Sequence, residues 1–199
     1  MSLIGLSGSH RTGKTTTKNL LLERLGNYYS EIPFSISREI HRMGYDPSNL
    51  NYPLSIRMQI QEGLFQRMEQ ILQARQGLIK LARIEYGDRI ADRTPLDLAA
   101  YAMTVPEYSE EKAQWLDDYI VRCINLTNAY FGKILLFSPT NVPYIYDQKS
   151  ASEDTRDYVH DLLCGVANNP LLKVPVKYVR GDTIEQRYAS VLGNIYEYI

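Results

Sequence analysis

The sequence predicts an α/β fold, a three-layer α/β/α sandwich in which a five-stranded parallel sheet lies between helices. Short apolar segments alternate along the chain with longer segments whose apolar residues recur at helical spacing. This alternation is typical of parallel strands joined by helical crossovers. The first apolar segment is also followed directly by a glycine-rich turn and a helix. In open parallel sheets, ligands bind at the carboxyl ends of the strands, where this turn lies.

The N-terminal half supplies two expected strands and two expected helices. Residues 3–6 form an apolar run like that of a strand buried on both faces. From Thr15 onward, leucines recur at helical spacing among polar residues. The stretch IPFSIS, 32–37, predicts a short second strand, and the polar stretch after it contains two prolines. A long helix is expected at 54–80 because its apolar residues fall near one face.

The C-terminal half continues the alternation. A third strand is expected at 89–92, and Pro95 is expected in the first turn of the next helix, where its missing N–H costs nothing. Ser109 is a plausible cap for a helix at 109–130. The remaining expected elements are a strand at 133–139, a helix at 152–168, a strand at 174–181 and a helix from Thr183 to the chain end.

Length and composition fit one globular domain over 1–199, since 44% of the 199 residues are hydrophobic and 23% are charged. The net charge of −1 does not favour nucleic acid as a partner, although a local basic groove would not show in that sum. No apolar run reaches the roughly 18 residues of a membrane span. Cys123 and Cys164 lack metal-ligand spacing. We therefore expect a cytoplasmic protein with free thiols and no membrane partner.

The turn after the first strand matches a phosphate-binding motif. Residues 8–15, GSHRTGKT, fit the pattern G-x-x-x-x-G-K-[ST]. Glycines let such a loop curl so that its N–H groups face a phosphate chain, and the positive end of the following helix adds to the anion site. The alternative is a glycine-rich turn that only caps a helix. The strand before the motif and the helix after it favour the phosphate loop.

This loop predicts an ATP site with Mg²⁺. Lys14 is expected to reach the β- and γ-phosphates, and the Thr15 hydroxyl is expected to bind Mg²⁺. The other expected ATP contacts within the loop are Gly8, Ser9, His10, Arg11, Thr12, Gly13 and Thr16.

A second polar cluster follows the third expected strand. Asp92 can hold Mg²⁺ through water or accept the proton of an attacking hydroxyl. Arg93 beside it can neutralise charge on the transferring phosphoryl group or on an acceptor phosphate. The alternative is structural, with Asp92 capping the next helix and Arg93 pairing with a surface acid. The phosphate loop elsewhere in the chain favours the functional reading.

Four segments resemble the nucleoside and nucleotide kinase group of P-loop proteins: GSHRTGKTT, SREIHRMG, ADRTPLDLAAYA and YVRGDTIEQR. ADRTPLD is similar to the D-R-[STY] element of thymidylate kinases and to the E-R-S element of deoxynucleoside kinases. The chain also resembles small P-loop kinases, many of them phage-encoded, that include the ribosylnicotinamide kinase domain. The resemblance implies a kinase fold with a short lid, ATP and Mg²⁺ as cofactors, and a small nucleotide or nucleoside acceptor.

The resemblance also implies an acceptor region at about 37–86. Arg38 and Glu39 match the position of the R-E-P segment that faces the acceptor in thymidylate kinases. An arginine there binds a phosphate bidentately, which favours a monophosphate over a free nucleoside; the alternative is a surface ion pair. Gln61 lies on the helix where related kinases read the acceptor base. Arg93 is expected to contact the acceptor as well.

A lid at about 144–156 and an adenine pocket complete the resemblance. The lid segment is short and lacks the paired arginines of related lids, which leaves Lys149 and Arg156 as candidates to contact the phosphates. Such a lid excludes water and so prevents hydrolysis of ATP. The adenine pocket is expected at Arg180, Gly181 and Asp182, which alternatively form a simple strand-to-helix turn.

Three functions stay open at this point. The first is a kinase for a nucleoside monophosphate, with a deoxynucleotide favoured. The second is a kinase for a 5′-hydroxyl acceptor, namely a nucleoside, ribosylnicotinamide or a modified nucleotide in DNA, with Asp92 or Glu39 as the base. The third is an ATP-binding regulator. The apolar face of the long helix at 54–80 would also suit a homodimer interface.

The first testable prediction concerns Lys14. Lys14→Ala is expected to remove most ATP turnover while the fold stays intact, because the loop would lose its cation toward the phosphates. The measurement is ADP release together with a circular dichroism spectrum. Turnover retained in a folded variant would contradict the assignment of the loop.

Overall fold

The computed structural model describes residues 3–26, 28–49, 51–82, 89–105, 109–140, 142 and 152–196, with no description of the side chains at 77–82. Within these residues, five strands form one parallel sheet. The strands are β1 (Leu3–Ser7), β2 (Ser30–Ile32), β3 (Arg89–Asp92), β4 (Phe131–Phe137) and β5 (Val176–Val179). Their order across the sheet is β2-β3-β1-β4-β5.

The described helices lie between these strands along the chain, except the last, which follows β5. They are α1 (Lys14–Leu25), α2 (Ile36–Arg42), α3 (Leu54–Ala82), α4 (Pro95–Met103), α5 (Glu110–Tyr130), α6 (Glu153–Ala167) and α7 (Ile184–Tyr196). The chain moves outward from β1 to β2, returns through β3 and crosses to β4 and β5 on the other side. The strand order therefore reverses beside β1, and the carboxyl end of β1 is the place where such sheets bind ligands.

Successive residues of the strands point to opposite faces of the sheet, and both faces are covered. On one face, Ile4, Leu6 and Ile90 pack in a core with α1 and α7. On the other face, Ala91 and Ile134 pack with α3, α4 and α5. This confirms the prediction of a parallel sheet between two helical layers.

The second strand was predicted in the wrong place. It is Ser30–Ile32 rather than 32–37, and α2 begins at Ile36 within the stretch that the sequence assigned first to a strand and then to a polar segment. Pro33 has no N–H to donate to a strand ladder and so ends the pairing. Ile36 and Ile40 then lie one turn apart and pack against the core as a helix.

The other predicted elements are confirmed with small shifts of their ends. Pro95 is the first residue of α4, and the Ser109 hydroxyl caps α5 by accepting from the Lys112 N–H. The fourth strand begins earlier than expected, at Phe131. Cys123 and Cys164 are both free. Among the described residues, no helix has the length and apolarity to cross a membrane.

Gly5 in the central strand generates a stability prediction. A Cβ at Gly5 would lie 2.5 Å from Thr94 Cγ2 and 2.8 Å from Ile134 Cδ1. Gly5→Ala is therefore expected to lower the free energy of unfolding by about 1–3 kcal/mol in urea titrations. The matched control is Gly193→Ala in α7, where a Cβ meets open space and helix propensity favours alanine by roughly 1 kcal/mol. Equal stability of the two variants would contradict this packing.

Candidate functional site

The loop between β1 and α1 has the backbone of an anion cradle. Gly8 and Gly13 have φ angles of 150° and 78°, and Arg11 has a φ of 54°. A Cβ at Gly8 would lie 2.9 Å from the carbonyl oxygen of Phe137, so both the φ angle and the space require glycine. Positive φ angles in such a loop help to turn its N–H groups toward one side, and α1 begins directly after the loop.

Lys14 is buried within this loop. Its Nζ donates to the carbonyl oxygens of Gly8 at 2.7 Å and Ser9 at 2.6 Å. Burial and the nearby charge of Arg93 lower the pKa of Lys14 to about 7, against the opposing effect of Asp97 and Asp92. The ammonium therefore lacks a full counter-charge, and an anion bound in the loop would supply it.

Thr15 and Asp92 meet at the first turn of α1. The Thr15 hydroxyl donates to Asp92 Oδ2 at 3.0 Å, so the structure brings together the two residues expected to hold Mg²⁺. Hydroxyl and carboxylate oxygens are the donors that Mg²⁺ prefers, with phosphate oxygens and water as its further ligands. The residues present therefore fit a magnesium ion beside the phosphate loop.

Arg93 occupies a strained backbone position. Its φ is 120°, a value that costs a non-glycine residue free energy. Nη1 donates to the Gly8 carbonyl at 2.8 Å and to Asp97 Oδ1 at 3.0 Å. Burial alone would lower the pKa of Arg93, but Tyr101 and the two nearby aspartates raise it, so the guanidinium stays charged. The strain is compensated by contacts that place this charge beside the loop.

Asp97 connects the ends of two strands, which the sequence reasoning missed. Its carboxylate accepts from the Ser7 hydroxyl at 2.8 Å, the Gly8 N–H at 3.1 Å and the Thr94 N–H at 2.8 Å, in addition to Arg93. The pattern T-P-L-D at 94–97 is a recognisable capping box. That signal predicts the bond to Thr94 but not the reach of the carboxylate across to the phosphate loop.

A cleft of about 320 Å³ opens beside the magnesium pair. It lies between α1, the carboxyl ends of β2 and β3, and the start of α2. Its lining residues are Thr15, Lys18, Glu31, Pro33, Phe34, Ser35, Ile36, Ser37, Arg38, Asp92 and Arg93. Arg38 and Arg93, which the sequence analysis placed at the acceptor, thus share one cleft with the residues that fit Mg²⁺.

Lys18 and Glu31 are functional candidates that the sequence reasoning missed. Lys18 Nζ lies 2.6 Å from Glu31 Oε1 and 3.3 Å from Asp92 Oδ2. Burial lowers the pKa of Lys18, but hydrogen bonding to Glu31 and the charge of Asp92 raise it more. Lys18 lies one helical turn after Lys14, which is a usable signal. Glu31 was hidden because the second strand was misplaced.

Two predicted acceptor residues lie outside the cleft lining. The Glu39 carboxylate is buried and accepts from Arg42 Nη1 at 2.7 Å, with Arg67 Nε at 3.5 Å. Gln61 Oε1 lies 3.4 Å from the Tyr119 hydroxyl at the contact between α3 and α5. The geometry does not bring these side chains to the magnesium pair, and their acceptor roles stay predictions.

The predicted lid falls largely outside the described residues, and Lys149 is among those not described. Arg156 lies in the first turn of α6, buried, and donates to the Val142 carbonyl and to the Glu153 and Asp157 carboxylates. Its contact with phosphates stays a prediction.

The predicted adenine pocket follows β5. Gly181 has a φ of 133°, and the Gln186 side chain accepts from the Asp182 N–H at 2.7 Å, an arrangement that also fits the simple turn. Ile184 and Arg187, just beyond, lie near Gly13 of the phosphate loop. Arg180 to Asp182 therefore belong to a segment that leads into residues beside the loop, and their contact with adenine stays a prediction. The predicted contacts of ATP with Ser9, His10, Arg11, Thr12 and Thr16 also stay predictions.

Comparison with solved structures supports the fold. Thymidylate kinase from Candida albicans matches with a TM-score of 0.68 at 16% identity, over 98% of this chain and 91% of that one. Deoxyadenosine kinase from M. mycoides matches with a TM-score of 0.63 at 12% identity, over 98% of each chain. NadR in complex with NR matches with a TM-score of 0.66 at 18% identity, over 99% of this chain and 51% of that one.

No protein-family model and no curated protein sequence matches the chain. The likeness to these solved structures, at 12–18% identity, therefore concerns the fold alone. It confirms the fold that the resemblance to thymidylate and deoxynucleoside kinases implied. The chain spans about half the length of NadR.

The buried Lys14 generates a pH-dependent stability prediction. Lys14→Met is expected to raise the free energy of unfolding at neutral pH, because it removes a buried charge. The Gly8 and Ser9 carbonyls keep other donors, from Arg93 and Thr12. The pKa of Lys14 is about 7 in the folded protein against 10.5 as its ordinary value. The free-energy cost of burying the charged ammonium is therefore present in full below a pH of about 7. It disappears as the pH rises toward 10.5.

The wild-type protein should accordingly gain stability relative to Lys14→Met by up to about 1 kcal/mol per pH unit across that interval. Urea unfolding of both proteins at a series of pH values measures the difference. If the difference in unfolding free energy between the two proteins is the same at neutral and alkaline pH, the lowered pKa of the buried Lys14 is contradicted.

Proposed function

We propose that this protein is an ATP-dependent kinase that transfers the γ-phosphoryl group of ATP to a nucleoside monophosphate, with a deoxynucleotide as the favoured acceptor. The observation that carries the proposal is that Arg38 and Arg93 line one cleft with Thr15 and Asp92. Two guanidinium groups suited to an acceptor phosphate thus lie next to the residues that fit Mg²⁺. An ATP-binding regulator has no need of a second anion pocket at this position.

On the ATP side, the loop N–H groups and Lys14 bind the β- and γ-phosphates. Thr15 and, through water, Asp92 hold Mg²⁺, which neutralises charge on the phosphates when bound. Arg93 lies against the loop through the Gly8 carbonyl, where its charge can stabilise the transferring group. Phosphoryl transfer depends on positioning and charge more than on covalent chemistry.

On the acceptor side, the available bases favour a phosphate acceptor. A monophosphate is ionised at neutral pH and needs little help from a base, whereas a hydroxyl must lose a proton. Glu39, one base suggested by the sequence, is held by Arg42 and Arg67. Asp92 Oδ2 already accepts from Thr15 and lies near Lys18. The cations of the cleft are therefore better suited to bind an acceptor phosphate than its carboxylates are to deprotonate an acceptor hydroxyl.

A kinase for a 5′-hydroxyl acceptor, such as a nucleoside or ribosylnicotinamide, is the second candidate. It is favoured by Glu31, a carboxylate that lines the cleft and is about one-third exposed. Deoxyadenosine kinase and NadR in complex with NR are among the structures with this fold. A cytoplasmic location and a homodimer through α3 belong to both candidates as further proposals.

An acceptor screen with two arginine variants tests the proposal. ADP release from Mg²⁺-ATP is measured with a panel of nucleosides and their monophosphates. We expect stimulation by a monophosphate, and Arg38→Met should raise the KM for that acceptor at least tenfold without changing the KM for ATP, because one bidentate contact is lost. Arg42→Met is the matched control, since Arg42 lies on the same helix and its partner Glu39 is outside the cleft lining.

The outcomes separate the candidates. Stimulation by nucleosides alone, abolished in Glu31→Gln or Asp92→Asn, would establish the hydroxyl kinase instead. Slow ADP release that no acceptor changes would contradict both kinase proposals and favour the regulator. Equal effects of Arg38→Met and Arg42→Met would remove Arg38 from the acceptor site.

A further inference from the structure

Arg187 is a buried cation that neither the phosphate loop nor the cleft lining contains. It lies on α7 with 1% of its surface exposed, and it is the largest fully buried side chain among the described residues. A buried guanidinium carries a large desolvation cost and calls for a functional or structural explanation.

The described hydrogen bonds of Arg187 all go to main-chain carbonyls. Nη1 donates to the Thr12 carbonyl at 2.9 Å and to the Ser138 carbonyl at 2.9 Å, and Nη2 donates to the Thr140 carbonyl at 3.2 Å. Within the described part of the chain, no carboxylate forms a salt bridge with it. One side chain thus joins α7 to the phosphate loop and to the segment that leaves β4.

The bond to Thr12 fixes the direction of the next N–H group. The peptide between Thr12 and Gly13 is trans, and in a trans peptide the C=O and N–H point in opposite directions. Because the Thr12 carbonyl points at Arg187, the Gly13 N–H points away from α7. This N–H is one of the groups that a loop of this kind directs at a phosphate.

The charge of Arg187 acts in the same direction. Burial lowers its pKa, yet a guanidinium keeps its proton in proteins. The side chain also lies near Gly13, where a Cβ would be 3.6 Å from Arg187 Cδ. Asp182 opposes the effect of burial on this pKa, but no described carboxylate forms a salt bridge with Arg187. A buried positive charge directly behind the loop favours an anion on the other side of the Thr12–Gly13 peptide.

We propose that Arg187 is a positioning residue of the ATP site: it aims the Gly13 N–H at the phosphates and adds positive charge behind the loop. The proposal rests on the proposed ATP binding at this loop. Through its bonds to the Ser138 and Thr140 carbonyls, Arg187 also links the loop to the start of the connection between β4 and α6, which contains the predicted lid. This role is separate from the contacts of Lys14, which lies within the loop.

The test measures phosphate binding rather than kinase activity. Mg²⁺-ATP and inorganic tripolyphosphate, which carries phosphates without a base, are titrated into wild-type protein, Arg187→Met and Arg187→Lys. We expect Arg187→Met to weaken both ligands at least tenfold and by the same factor. Arg187→Lys should recover part of the loss, because it keeps the charge but cannot fork between three carbonyls.

Arg24→Met is the matched control. Arg24 lies on α1 with its guanidinium 4.9 Å from the ring of Tyr188 on α7, so this variant disturbs the contact between the same two helices without touching the loop carbonyls. It should bind both ligands within twofold of wild type. A loss in Arg24→Met equal to that in Arg187→Met would assign the effect to helix packing and overturn the proposal.

Two further results would overturn it. One is a folded Arg187→Met that binds both ligands as wild type does, and the other is a loss for ATP without a loss for tripolyphosphate, which would place the effect at the adenine. If Arg187→Met does not fold, Arg187→Lys decides between these results. Failure of wild-type protein to bind Mg²⁺-ATP would instead contradict the proposed function itself.

Discussion

The carboxylate of Asp97 is the interaction on which the geometry of the site depends. It is fully buried and accepts five hydrogen bonds, from Ser7, Gly8, Arg93 and two donors of Thr94. These donors come from the ends of β1 and β3 and from the start of α4. One buried group therefore fixes the phosphate loop relative to the strand end that carries Asp92, and a buried carboxylate is stable only when its oxygens are satisfied in this way.

A second constraint is the balance of charge around the loop. Lys14, Arg93 and Arg187 lie behind or within it, whereas Lys18 is shared between Glu31 and Asp92. Lys14, Arg93 and Arg187 each donate to main-chain carbonyl oxygens of the loop, and Arg93 also donates to Asp97. Such an arrangement costs free energy in an empty site and is favourable around an anion, as expected of a preorganised anion-binding site.

The phosphate loop and most of the helices and strands could be predicted from the sequence because the residues that specify them are neighbours in the chain. The loop at 8–15 specifies its own backbone through its glycines, and Pro95 and Ser109 mark helix starts by their own chemistry. The predicted position of the second strand was wrong because a short apolar run can form either a strand or a helix. Pro33, which ends the strand pairing, is the local signal that marks the correct boundary. That one error hid Glu31, the middle residue of β2, because the predicted strand began after it.

The residues missed elsewhere act across the chain. Asp97 reads as a helix cap and Arg187 as a charged residue in a terminal helix, and their contacts with the loop arise only when β1, β3 and α7 come together. Side chains that bond to distant main-chain carbonyls leave no spacing pattern in the sequence. The same reason explains why the direction of Glu39 and Gln61 could not be predicted from their positions on α2 and α3.

The most direct test of the account is the affinity of a bisubstrate ligand, in which adenosine and a deoxynucleoside are joined through a chain of phosphates. If the loop and the cleft hold the donor and acceptor of one transfer, a single molecule spanning both should bind far more tightly than ATP, because the second contact becomes intramolecular. Calorimetric titration of ligands with four and five bridging phosphates measures this. Binding much tighter than that of ATP is expected. The four-phosphate bridge contains the three phosphates of ATP and the one of a monophosphate, and the five-phosphate bridge adds one phosphate of length between the two sites. Affinity no greater than that of ATP for every such ligand would contradict the claim that the cleft is the acceptor site.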